Sequence, residues 1–162
     1  MKYALLTAVF LALSGLAPAT DRPPAAEARL RQLQHDLGLI EALVSDGLDL
    51  AAQDDPLLRA RTCNKLAAAV VQEIQKAAKE KDKQRAAGMG QYLKSVLVRG
   101  VAGNLDRARK DLPKDSPRHA EILSIGDEVV RLIQPITDQS AQDAVNHGRD
   151  AVLKSVQGKT KR

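Results

Sequence analysis

Few residues of this chain combine the type and the spacing that metal binding requires. Its three histidines, His35, His119 and His147, fall on three different predicted helices. Helical zinc and di-iron sites use histidine pairs four residues apart or a Glu-x-x-His spacing, and neither pattern occurs among these histidines. Asp143 lies four residues before His147, but a single such pair is more typical of a surface contact. The sequence therefore predicts no metal site and no cofactor.

The patterns that accompany catalysis are missing as well. No glycine-rich loop follows a predicted strand, and Gly88-Met89-Gly90 is too short to resemble a phosphate-binding loop. Serine, histidine and aspartate all occur, yet no stretch resembles the turn that presents a nucleophilic serine. We expect no catalytic residues, and we interpret the chain as a protein that is not an enzyme.

Cys63 is the single cysteine of the sequence. It lies three residues before Leu66 and seven before Val70, on the apolar side of a predicted helix. This position favours a buried side chain that packs as a small apolar group. The alternative is an intermolecular disulfide, which an exported protein with one unpaired cysteine could form.

Residues 1–19 have the organisation of a secretory signal peptide. Lys2 provides a positive start, residues 3–16 are mainly apolar, and Ala17-Pro18-Ala19 places small residues where a signal peptidase reads them. We predict cleavage after Ala19 and a periplasmic or secreted product without a transmembrane segment. The alternative is an uncleaved membrane anchor, but the apolar run is shorter than the roughly 20 residues that span a bilayer.

Composition excludes some partners. The chain is 44% apolar and 28% charged, which is typical of a globular protein, but only 2% aromatic. Aromatic side chains stack on bases and sugars, so such sites are not expected. A basic run, Lys79, Lys81, Lys83 and Arg85, favours weak contact with anionic surfaces or, since acids are interleaved with it, a solvated turn. Export argues against nucleic acid as a partner.

The centre of the chain predicts a helical hairpin with arms at residues 56–81 and 83–112. Apolar residues recur every three to four positions on both arms, so each arm has one face that needs cover. These residues are Cys63, Leu66, Val70 and Ile74 on the first arm, and Leu93, Leu97, Val101, Leu105 and Ala108 on the second. We expect Val70 and Ile74 in the core, close packing beside the small residues from Ala86 to Gly90, and a possible kink near Gly100 and Gly103.

A helix is predicted before the hairpin, from Glu27 to the boundary at Asp54-Asp55-Pro56, where a carboxylate caps the next helix. Its apolar stripe, expected to be buried, is Leu30, Leu33, Leu37, Ile40, Val44 and Leu48, widened by Leu39, Leu43 and Leu50. A stripe of this width must contact two neighbours within the fold or a second molecule. It therefore predicts a homodimer or a binding groove along the first helix.

Two further helical segments follow. Ser116 is expected to cap a helix lined by Ile122, Ile125 and Val129, and Pro135 must bend or end that helix near Gln134. The last segment, residues 140–156, carries mainly alanine and valine and is expected to be a weak neighbour. The fold class is thus all-α, an antiparallel bundle of about four long helices. A lead-in at 20–26, one domain at 27–157 and a basic, frayed tail at 158–162 complete the organisation.

In size, export signal and basic charge the chain is similar to small helical periplasmic stress chaperones and metal sensors. Their Leu-Thr-x-x-Gln signature is absent, because the nearest stretch, Ile136-Thr137-Asp138-Gln139, has its glutamine one position early. No family is therefore assigned. Two functions stay open: an interaction or structural module of the cell envelope, and a periplasmic bundle that binds a small ligand or metal. An exposed aliphatic patch favours the first, and convergent ionisable groups in the core favour the second.

Overall fold

A computed structural model of the chain describes residues 25–113 and 115–158, and in the first helix it describes side chains from Leu37 onward, apart from Gly38 and Ala42. The predicted signal peptide, its cleavage site, most of the lead-in and residues 159–162 of the tail lie outside these ranges. Every regular element within them is helical and none of their residues is in a strand. The all-α class is therefore confirmed.

The chain divides into two compact units, Met1–Gln34 and His35–Arg162. Of the first unit the structure describes a helical backbone from Ala25 onward, which is the beginning of helix α1, Ala25–Ala52. The features discussed below all belong to the second unit.

Five helical segments make up the described part of the chain. After α1 come α2, Pro56–Lys79, and a continuous second arm composed of α3, Lys83–Ser95, a π-helix, Val96–Ala102, and α4, Gly103–Asp111. Then follow α5, His119–Ile133, and α6, Gln139–Gln157. Helix α2 packs against the whole second arm and against α5, while α6 packs against the second arm and α5.

The predicted helix boundaries are mostly confirmed. Asp55 is the N-cap of α2, where its side chain accepts a hydrogen bond of 2.8 Å from the Leu57 amide, and Pro56 occupies the first position. Helix α5 ends at Ile133, two residues before Pro135. The cap predicted at Ser116 differs: the N-cap of α5 is Arg118, two residues later, and the Ser116 hydroxyl accepts a 3.3 Å bond from the Arg118 amide.

The apolar stripes of the hairpin lie in the core as predicted. Val70 is 0% exposed and Ile74 is 1% exposed. The other stripe residues of the hairpin are also buried: Cys63, Leu66, Leu93, Leu97, Val101, Leu105 and Ala108. Ile122, Ile125 and Val129 of α5 belong to the same core cluster. Their helical spacing places each set on one face, which the neighbouring helices cover.

The second arm changes its winding where the glycines occur. The predicted kink is here a seven-residue π-helix, Val96–Ala102, and the arm continues through it without interruption. A Cβ atom at Gly100 would lie 2.7 Å from the sulfur of Cys63, so glycine is required for this close approach. Asn104 donates a 2.6 Å hydrogen bond to the Gly100 carbonyl and so satisfies a backbone acceptor in the wider turn.

Helix α6 is not the weak neighbour that its alanines and valines suggested. Ala141, Ala144, Val145 and Val152 are all buried. The close packing predicted beside Ala86 to Gly90 occurs against this helix: a Cβ atom at Gly90 would lie 3.0 Å from the Cα atom of Ala141. Short side chains bring the two helices together, so that small size here produces tight contact rather than poor cover.

Candidate functional site

The residues singled out for possible chemistry do not converge. His119 Nε2 lies 3.0 Å from the carbonyl oxygen of Pro113, which is a hydrogen-bond distance. His147 is exposed on α6. Asp143 is also exposed and forms no ion pair with His147. The side chain of His35 is outside the described residues. Within those residues, no group of three or more histidine, cysteine, aspartate or glutamate side chains is placed to hold a metal ion.

Cys63 is a free thiol in the core, 4% exposed. Burial raises the pKa of the thiol, and the positive charge of Arg59 opposes that shift only in part. A protonated, covered sulfur is a poor nucleophile and a poor disulfide former. The prediction of a buried, packing cysteine is confirmed.

The basic run forms the turn between α2 and α3. Lys81 adopts a positive φ of 59°, and Asp82 caps α3 by accepting a 2.9 Å hydrogen bond from the Arg85 amide. Lys79, Lys81 and Lys83 are exposed. Arg85 is instead paired with Glu73 at 2.6 Å, with its side chain 12% exposed. The lysines alone therefore face solvent from the predicted patch.

Helix α1 exposes a row of aliphatic side chains. Leu37 is 53% exposed, Ile40 45%, Val44 59% and Leu48 69%. Their spacing of three or four residues places them along one side of the helix. The sequence predicted this stripe to be buried, and for these residues that prediction is wrong; the side chains of Leu30 and Leu33, also in the predicted stripe, lie outside the described residues. We refer to Leu37, Ile40, Val44 and Leu48 as the outer stripe.

The opposite side of α1 faces the protein. Leu39 and Leu50 pack against the core cluster, and Leu43 is half-buried. These are the residues that the sequence treated only as widening the stripe. Periodicity identified both sets but not which of them turns inward, because a helix with two apolar sides satisfies the same pattern in either orientation.

The junction of α1 with α2 is held by polar contacts. The guanidinium of Arg59 donates hydrogen bonds of 3.1 Å to the carbonyl oxygen of Leu50 and 2.9 Å to that of Gln53, near the carboxyl end of α1. The hydroxyl of Thr62 donates a 3.1 Å bond to the side-chain oxygen of Gln53. Such bonds satisfy carbonyl groups that the end of a helix leaves without partners.

Asp55 adds a link from this junction to α5. One of its carboxylate oxygens accepts a 2.5 Å hydrogen bond from Arg118, and the other accepts the bond from Leu57 that caps α2. Burial alone raises the pKa of Asp55, but the hydrogen bonds and the positive charge of Arg118 outweigh it, so the pKa is lowered from its ordinary value of 3.8. The carboxylate is thus ionised at neutral pH and holds two helices.

A cleft of about 460 Å³ lies between the end of α2 and the turn before α6. Its walls include Ile74, Lys79 and Asp138. Asp138 is the N-cap of α6, and its bonds to Ser140 lower its pKa. The cleft has the volume of a small-molecule site, and four of its eight lining residues, Gln75, Lys79, Thr137 and Asp138, are polar or charged.

None of the helices among the described residues is at once long and apolar enough to cross a membrane. Comparisons of the chain with models of protein families, with curated proteins and with solved structures found no match.

Proposed function

We propose that this chain is an exported interaction module of the cell envelope, which binds another protein through the outer stripe and catalyses no reaction. Leader removal after Ala19 would release it as a periplasmic or secreted bundle of antiparallel helices. The observation that carries the proposal is the exposure of four large aliphatic side chains on one side of α1.

Energetics support this assignment. Fully burying a leucine, isoleucine or valine side chain is worth about 1.5–3 kcal/mol, so covering four half-exposed ones would stabilise a complex by several kcal/mol before association costs. Scattered apolar residues are common on surfaces, but a continuous row is typical of interfaces. Helix-in-groove recognition uses rows with this i, i+3, i+4, i+7 type of spacing.

The core does not support the other function, a ligand or metal site built from charged side chains that point into the bundle. Its buried polar side chains in the described part of the chain are Thr62, Asn104 and Ser155, all of them neutral. Asn104 is already bonded to the backbone of Gly100. A core of this kind favours packing over ligand binding.

A site-specific crosslinking experiment tests the proposal. A photoreactive amino acid replaces Val44 in the outer stripe or, as a control, Gln84, which is exposed in the first turn of α3. In intact envelopes we expect one defined adduct from position 44 and none from position 84, with the partner identified by mass spectrometry. Identical adducts from both positions, or none from either, would contradict the proposal. An adduct of the chain with itself would indicate a homodimer.

The cleft beside Asp138 supports a second candidate, a periplasmic bundle that binds a small ligand. The three exposed lysines of the nearby turn would favour an anionic ligand or a weak contact with an anionic surface. Thermal melting with a panel of small anions tests this candidate. A rise in melting temperature that Lys83→Ala abolishes would favour it, whereas equal melting with and without every anion would reject it.

A further inference from the structure

The cleft beside Asp138 continues into a second cleft. The second one, of about 620 Å³, shares Ala78, Thr137 and Asp138 with the first and extends to Lys83 at the start of α3. Clefts of this size accommodate small molecules. We refer to the joined space as the tip cleft, because it lies where the turn between α2 and α3 meets the turn before α6.

One part of the lining of the tip cleft is aliphatic. Ile74 of α2 and Ile136 of the turn before α6 line it although they are only 1% and 4% exposed. Ala78 and Pro135 extend this apolar surface. Such side chains offer van der Waals contact but no hydrogen bonds. The tip cleft therefore favours a molecule with an aliphatic part.

Most polar side chains of the lining have no partner within the protein. In the described part of the chain, the side chains of Gln75, Lys79, Lys83 and Thr137 form neither a hydrogen bond nor an ion pair. All four of them carry hydrogen-bond donors. These donors are available to a bound molecule without the loss of an existing contact.

The two lysines remain unpaired because the acids nearest to them in sequence are directed toward Arg85. Glu80 pairs with Arg85 at 3.9 Å, and Asp82 accepts the 2.9 Å hydrogen bond from the Arg85 amide that caps α3. Neither acid pairs with Lys79 or Lys83. An anionic group of a ligand therefore meets two ammonium groups at the tip cleft.

Asp138 contributes a charge of the opposite sign to the same space. Its Oδ1 atom accepts a 2.9 Å hydrogen bond from the Ser140 amide and a further bond from the Ser140 hydroxyl, which leaves Oδ2 for another donor. The bond from the hydroxyl is the main cause of the lowered pKa of Asp138, and the charge of Lys83 adds to it although the two residues form no ion pair. The carboxylate is therefore ionised at neutral pH.

We propose that the tip cleft binds a small aliphatic zwitterion, such as an aliphatic α-amino acid, a conclusion that rests on the second candidate function and specifies its ligand. The ammonium group of the ligand donates a hydrogen bond to Asp138. Its carboxylate accepts from Lys79 or Lys83, and its aliphatic part covers Ile74 and Ile136. Hydrogen bonds between charged groups are about twice as strong as those between neutral groups.

The same charges disfavour a simple ion of either sign. An anion without an amine meets Asp138 as a like charge, and a cation without a carboxylate meets Lys79 and Lys83 as like charges. A ligand that carries both charges finds an opposite charge for each of them.

Three compounds of similar aliphatic shape test the proposal: leucine, which carries both charges, isocaproate, which lacks the amine, and isoamylamine, which lacks the carboxylate. Amide NMR shifts of the full chain, as recovered after export, locate the binding and measure its affinity. We expect shifts at Thr137 and Ser140, and binding of leucine at least about tenfold tighter than that of either analogue, because each analogue gives up one charge-assisted bond. Equal affinity for leucine and an analogue, or shifts confined to other regions, overturns the proposal.

Variants assign the two charges of the ligand to the two sides of the cleft. Asp138→Asn keeps the cap of α6, because asparagine caps a helix as well as aspartate does, and should reduce the affinity for leucine to that for isocaproate. Lys79→Gln combined with Lys83→Gln should reduce it to that for isoamylamine. Leucine binding that survives either change overturns the proposal.

Matched controls make the same charge changes outside the cleft. Asp143→Asn alters an exposed residue of α6, and Lys65→Gln combined with Lys110→Gln alters exposed residues of α2 and α4. These variants should bind leucine as the parent chain does. An equal loss of affinity in the controls would assign the binding to net charge and would reject the proposal.

The outcomes separate the proposal from the candidate function on which it rests. If isocaproate binds the tip cleft as tightly as leucine, the site is a simple anion site, so that the proposal fails and the second candidate function stands. If none of the three compounds shifts the amides of the cleft and no anion of the thermal panel raises the melting temperature, both fail.

Discussion

Helices α1 and α2 have the same apolar periodicity, but the apolar stripe is buried on α2 and exposed on α1. On α2 the residues Val70 and Ile74 are covered by the second arm and by α5, whereas on α1 Ile40 and Val44 face solvent. The difference arises because α2 is surrounded by neighbours, while α1 has an apolar side left over after Leu39 and Leu50 pack against the core. Periodicity shows that a face needs cover, and the rest of the chain decides whether that cover is internal.

The largest expected effect compares one substitution at two places. Ile74→Ala should lower the free energy of unfolding by about 2–5 kcal/mol, because it leaves a cavity beside fully packed neighbours. Ile40→Ala, at a position 45% exposed, should change it by less than about 0.5 kcal/mol. Urea melts of the two variants measure both values. Similar costs for the two would mean that α1 is covered within the monomer.

A smaller effect concerns glycines that lie two residues apart on α3. Gly90→Ala should cost about 1–3 kcal/mol, because its Cβ atom would lie 3.0 Å from the Cα atom of Ala141 on α6. Gly88→Ala has no such neighbour within 4 Å and should stabilise the helix by about 0.5–1 kcal/mol. Thermal melts should therefore shift in opposite directions, and a shift in the same direction would contradict the close packing of α3 with α6.

The smallest effect concerns the junction between α1 and α2. Asp55→Ala removes the cap of α2 and should cost about 0.5–2 kcal/mol at neutral pH, whereas Asp54→Ala, at an exposed neighbour, should cost less than about 0.5 kcal/mol. Urea melts at pH 7 test this pair. A cost as large for Asp54→Ala would assign the stabilisation to the general charge of the segment rather than to the cap.

The same residue gives a pH dependence with a defined sign. Because folding lowers the pKa of Asp55 below 3.8, its contribution is complete above that pH and is lost as the pH falls through the folded-state value. The stability difference between the parent chain and Asp55→Ala should therefore shrink in acid. A difference that stays constant down to about pH 2 would show that the carboxylate charge is not what holds the junction.

How far the sequence predicted this structure can be seen from particular residues. The hairpin stripes, the cap at Asp55 and the helix end before Pro135 followed from local rules of spacing, capping and backbone geometry. The close contact of Gly90 with Ala141 was predicted only as a small-residue surface, because its partner lies 51 positions away and no local pattern specifies it. The tight packing that the short side chains of α6 allow was missed for the same reason.

The sequence predicted that α1 needs a second contact, but not which of its apolar sides is exposed. The width of the stripe on α1 indicated a second contact, but nothing local distinguished Leu39 and Leu50, which face the core, from Ile40 and Val44, which do not. Because apolar residues lie on two sides of α1, their spacing alone does not decide which side meets the core.

The most direct test of the account is whether the outer stripe is covered in the envelope and open in isolation. Val44→Cys should react quickly with a maleimide in the purified protein and several-fold more slowly in intact envelopes, in proportion to the fraction of the protein that is bound. Gln84→Cys should react equally in both settings, and the buried thiol of Cys63 should stay unreactive in each. Equal labelling of Val44→Cys in the two settings would contradict the claim that α1 presents an interaction surface.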